Sequence, residues 1–132
     1  MELISRQMCL AQHVGTKETM FGGQMLAWAD IAASVWCAQL SRSDSLLTVH
    51  MSDIDFLSPV RVGDLVEFWG EGYNLGRTSV KVRIVVKVYE PRSGETHECF
   101  RFTAVMVNVD RNLRATPLLA EVQGKSSNWA EG

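Results

Sequence analysis

The spacing of apolar residues changes once along these 132 residues, from a helical period to a strand period. Between Met20 and Leu40 nearly every position is apolar, opened by Gly22-Gly23 and interrupted by one charge, Asp30. A run with no polar face predicts a helix inside the protein, ending near Ser41, where Ser41-Arg42-Ser43-Asp44-Ser45 turns polar. Thr19 stands where an N-cap is wanted. Residues 2–10 read as a first strand before a polar loop, and from Leu46 onward apolar residues recur at every second position. Leu47, Val49 and Met51 keep one phase while Ile54 and Phe56 take the other, which predicts a β-bulge near Ser52-Asp53. Strands follow over 65–75, 79–89 and 98–109; in the second of these Val80, Val82, Ile84, Val86 and Val88 oppose Lys81, Arg83 and Lys87.

The order is therefore strand, one long helix, then four antiparallel strands. It lacks the strand–helix alternation of a parallel sheet. One helix buried on all sides needs a curved antiparallel sheet of about five strands wrapped around it, which is an α+β arrangement, the hotdog fold. Such a sheet leaves an edge uncovered, so a homo-oligomer built from a dimer is expected. Residues 1–118 form the domain, and 119–132 read as a polar, loose C-terminal tail.

Composition narrows the class. With 46% hydrophobic and 21% charged residues and a net charge of −2, the chain has no basic block for nucleic acid. Cys9, Cys37 and Cys99 are odd in number, widely spaced and set among apolar neighbours, which fits free buried thiols in a reducing cytoplasm. No secretory signal opens the sequence, and residues 24–40 are short for a membrane span and carry Asp30 near the middle. A cytoplasmic protein without a membrane partner is the expectation.

Asp30 is the first candidate for chemistry, because a carboxylate in an apolar helix is costly to bury unless it has a partner or a task. A structural ion pair is the plainer alternative. Gly22 and Gly23 permit a tight turn, and the same freedom lets a ligand approach the first helical N–H groups, where the helix dipole favours negative charge. His13, His50 and His97 are scattered, no serine sits in a GxSxG elbow, and nothing in the spacing asks for a metal.

Four motifs in order, Phe21-Gly22-Gly23, Asp30, Asp55-Phe56-Leu57-Ser58-Pro59-Val60-Arg61-Val62-Gly63-Asp64 and Gly76-Arg77-Thr78-Ser79-Val80, resemble the hotdog-fold acyl-CoA thioesterases of the YciA and brain acyl-CoA hydrolase type. The resemblance covers roughly residues 3–118. It implies hydrolysis of acyl-CoA to free acid and CoA, without metal or redox cofactor, by a homohexamer built as a trimer of dimers with its active site at the dimer interface. Asp30 would be general base or nucleophile, and Gly22 and Gly23 amides would polarise the thioester carbonyl. Phe21, Gly76, Arg77, Thr78 and Ser79 would contact substrate. The chain departs from the family where relatives carry Asn or Asp before the glycines; here Gly15, Glu18 and Thr19 stand there. A threonine hydroxyl can orient water or bond the thioester oxygen but is no base at neutral pH, so more of the catalysis falls on Asp30. The competing readings are a non-enzymatic acyl-CoA sensor and a hotdog hydratase or dehydratase. The latter chemistry usually wants a histidine beside the acid, and none lies near Asp30 in sequence.

Overall fold

The computed structural model describes residues 1–127. Strand β1 covers Glu2–Met8, helix α1 Gly22–Ser41, and strands β2 to β5 cover Leu46–Phe56, Leu65–Leu75, Ser79–Glu90 and Glu95–Asn108. All neighbours pair antiparallel in the order β1-β3-β4-β5-β2, so β1 and β2 are the two edges. The alternation in β4 turns one face fully inward: Val80, Val82, Ile84, Val86 and Val88 are all buried. Each such side chain contributes roughly 1.5–3 kcal/mol of burial free energy. With Phe68, Phe100 and Phe102 they form the floor on which Met25, Trp28, Ala29, Ala32, Ala33, Trp36 and Cys37 of α1 rest.

Of the five register shifts in the sheet, two bear on the helix and the predicted bulge. The register of β2 against β5 skips between Ser52 and Asp55, with Asp53 at φ 52°, which is the bulge the phase change called for. Another skip lies between Gly70 and Gly72 of β3. Gly70 is there because Trp36 occupies the space a Cβ would fill. The Trp36 ring stands edge-on to Tyr73 at 5.8 Å, and its Nε1–H donates to Glu2 Oε2 at 3.0 Å.

Three local expectations change. Thr19 does not cap α1: the N-cap is Phe21, and Thr19 forms an isolated bridge with Arg61. The cause is a tight turn in which Gly15 N–H donates to Thr19 O and Met20 N–H to Val60 O, holding residues 19–20 extended. The helix is not enclosed on all sides either. Ala27, Ile31, Val35 and Gln39 form an open stripe at four-residue spacing, with Ile31 57% and Val35 41% exposed. Residues 119–127 are tied down rather than loose: Val122 is buried, Gly124 N–H donates to Leu75 O, Leu75 N–H to Lys125 O, and Ser127 Oγ accepts from Tyr73 N–H. The rest of the expected tail, 128–132, lies outside the described residues.

Candidate active site

The N-terminus of α1 opens on a cleft of about 310 Å³ between the helix and the segment after β2. Thr19, Phe21, Gly22 and Met25 line one side and Phe56, Leu57, Ser58, Pro59, Val60 and Cys99 the other. The first bond within the helix is Met25 N–H to Phe21 O at 3.1 Å, so the N–H groups of Gly22, Gly23 and Gln24 have no partner inside it. Gly22 already faces the Phe56 ring, which a Cβ would approach to 3.4 Å, whereas a Cβ on Gly23 would meet nothing. The glycine at 23 therefore keeps backbone open to the outside rather than relieving a contact within the chain. The departure at Gly15 also has a local reason: a side chain there would come within 2.6 Å of the Phe21 ring.

Asp30 is half-buried, less enclosed than its sequence context predicts, because its helix face borders the open stripe. Thr48 Oγ1 of β2 donates to its Oδ1 at 2.7 Å. This partner escaped sequence reasoning, since a threonine in a strand is ordinary; the signal was its single hydroxyl between Leu47 and Val49. Asp30 lies eight residues beyond Gly22, about 12 Å along the axis, and is not among the residues lining the cleft. The Gly76–Ser79 turn is farther still. It closes the far end of the sheet, with Gly76 N–H donating to Ser79 O, Asn108 N–H to Thr78 O and Leu118 N–H to Arg77 O. Ser79 pairs with Val107 whereas Phe56 pairs with Phe100, so seven residues of β5, about 23 Å, separate turn and cleft. One chain brings Thr19, Phe21 and Gly22 to the cleft, with Gly23 next in the helix but outside the lining; it does not bring Asp30 or the turn to them.

Cys99 is the thiol in the cleft wall, and its Sγ donates to Val86 O at 3.5 Å. Burial pushes its pKa up to about 12, which leaves it protonated and non-nucleophilic. Two histidines have partners, His13 Nδ1 accepting from Leu10 N–H with its ring edge-on to Trp28 and His97 facing Glu90, while His50 is exposed on β2 two residues from Thr48. Among the described residues, no cluster of three or more His, Cys, Asp or Glu side chains is arranged to hold a metal. No helix among them is long and apolar enough to cross a membrane.

The profile of the Thioesterase superfamily matches residues 17–95, from the turn before α1 through β4. The chain belongs to the thioesterase superfamily. Within it, this thioesterase-superfamily chain is 27% identical over 126 residues to the acyl-CoA thioester hydrolase YciA of Salmonella typhimurium, spanning 93% of this chain and 92% of that one. The solved structure of HI0827, a hexameric broad-specificity acyl-coenzyme A thioesterase, matches with a TM-score of 0.83 at 24% identity, over 91% of this chain and 82% of the other. A hexameric hotdog fold thioesterase of Campylobacter jejuni matches with a TM-score of 0.83 at 22% identity, over 92% and 93%. The sheet and helix described above are the hotdog fold.

Proposed function

We propose that this protein hydrolyses acyl-CoA to free acid and CoA in a site that two copies of the chain complete together. The observation that carries this reading is the partition of α1: Gly22 at the wall of the cleft, its amide and that of the next residue, Gly23, unpartnered within the helix, and one carboxylate, Asp30, braced by Thr48 beside an unpaired strand edge. The YciA-type relatives act on acyl-CoA, in keeping with it.

The thioester carbonyl sits at the front of α1, where Gly22 and Gly23 N–H groups donate to its oxygen as charge develops there. Asp30 takes a proton from water while the water oxygen bonds the carbonyl carbon. The tetrahedral intermediate collapses, the C–S bond breaks, and the thiolate of CoA leaves and collects the proton. A thiol of pKa about 8.5 departs as thiolate without a strong general acid, so no histidine is required. Water, one carboxylate and two amides balance the reaction without metal or redox cofactor. Thr19, on the cleft wall, orients the water or bonds the carbonyl oxygen, and Phe21 flanks the substrate.

Base and oxyanion donors each have to lie about 3 Å from the reacting atoms, which 12 Å of helix within one chain opposes. A second copy answers this. Antiparallel pairing of two β2 edges along their full length sets Thr48 of one copy opposite Ile54 of the other, two residues from Phe56. Asp30 of one copy thereby approaches the Gly22 cleft of the other. The same pairing covers Ile31, Val35 and Val49. Further association into a hexamer, as in the structural relatives, brings Gly76, Arg77, Thr78 and Ser79 of a neighbouring copy to the CoA moiety, where Arg77 pairs with a phosphate.

Mixing two inactive variants tests chemistry and geometry together. Asp30→Asn removes the base and lowers turnover at least about a hundredfold. Gly22→Pro deletes one N–H at a helix position that tolerates proline, after a residue already at ψ 141°, and costs a similar factor. Co-refolded at equal amounts, half the dimers are mixed and each holds one intact site, so about a quarter of wild-type CoA release returns. No recovery on mixing places the site within one chain; acyl-CoA binding by the wild type without thiol release makes the protein a sensor, and double-bond change without thiol release makes it a hydratase.

A further inference from the structure

The cleft that begins at the Gly22 amide has an inner end made of core side chains. Met25, Val60 and Cys99 line it and are 4%, 3% and 2% exposed, whereas Phe21 and Phe56 at its mouth are 54% and 58% exposed. Met25 follows Gly22 by three residues, about 4.5 Å deeper along the same helix. Given the acyl-CoA reading above, on which this rests, we propose that the cleft receives the acyl chain and that Met25, with Val60 facing it, is the stop that sets its length.

An alkyl chain needs no hydrogen-bond partner, while the pantetheine arm carries two amides that are costly to bury unpaired. The cleft offers little to such groups: of its two side-chain hydroxyls, Ser58 Oγ already donates to Glu98 O at 3.0 Å, leaving Thr19. The cleft measures about 310 Å³ and ends on buried core side chains, so the preferred substrates are acyl-CoAs whose straight chains stop at Met25. The bulky residues Trp28, Trp36, Trp69 and Met51 do not line this cleft, and Phe56 stands at its mouth. Met25 suits an adjustable stop, because its unbranched thioether takes several rotamers.

The test is the acyl-length dependence of kcat/KM for CoA release, from butyryl-CoA to tetradecanoyl-CoA, with Kd for the same series measured by calorimetry. In Met25→Ala the ratio of tetradecanoyl- to octanoyl-CoA kcat/KM rises at least about tenfold; in Met25→Phe the ratio of decanoyl- to butyryl-CoA falls by about the same factor. Ratios cancel any loss of folded protein, and Val60→Ala gives the same direction as Met25→Ala from the facing wall. Unchanged ratios in all three variants overturn the proposal. So does a loss that is equal at every length, the outcome if pantetheine occupies the cleft. A wild type that releases no CoA from any substrate defeats the hydrolase reading instead, and the Kd series then still shows or denies the length limit.

Discussion

The three cysteine thiols of the chain are all buried, and burial raises the pKa of each, that of Cys37 and of Cys99 from 9.0 to about 12. In the unfolded chain the same thiols ionise near pH 9, so above that pH the unfolded state holds fewer protons than the folded one. Their stabilising contribution is whole below pH 9 and is lost as pH rises toward 12, at up to about 1.4 kcal/mol per pH unit per thiol. Urea unfolding between pH 8 and pH 11 is expected to show that slope, and Cys37→Ala to make it shallower; equal slopes would contradict the assignment. Native protein is also expected to leave a thiol-reactive dye uncoloured until denaturant is added, so a dye assay reads only CoA. At this scale Asp30 was legible because a charge in an apolar helix stands out. Its partner Thr48 was not, since eighteen residues of chain separate them and only the fold makes them neighbours.

Helix α1 and strand β3 meet through one exchange of volume, the Trp36 ring against the missing side chain of Gly70. Gly70→Ala forces that ring off its position and is expected to lower unfolding free energy by about 1–3 kcal/mol in urea titration. Trp36→Phe in the same background returns part of the loss, because the two changes share one space. A Gly70→Ala variant as stable as wild type would mean the ring moves freely. Each element was readable from the chain: periodicity gave the strands, and the phase change in β2 gave its bulge. The start of α1 was misread because Thr19 has N-cap chemistry, but neighbouring backbone bonds hold it in a bridge to Arg61.

Across the whole molecule, one chain leaves Ile31 and Val35 of α1 and Val49 of the edge strand β2 exposed. The second copy proposed to cover that surface would account for a helix α1 written as if buried on every side. Ile31→Glu places a charge in the centre of the stripe and is expected to shift the assembly toward monomer on a sizing column, with CoA release falling at least tenfold while far-ultraviolet circular dichroism is retained. Unaltered size and activity would mean that the copies meet elsewhere.

Periodicity, glycines and one misplaced charge determined by themselves the class of fold, the number and order of the strands, and Asp30, Gly22 and Gly23 as the residues to watch. These depend on local physics, the burial of a face or the cost of an isolated carboxylate, and a linear chain carries them. Only the tertiary structure decided that Thr48 holds Asp30 and that Met25, Val60 and Cys99 close the cleft. Those are distances across the sheet and helix, fixed by how the strands stack and not by the order of residues along any one of them.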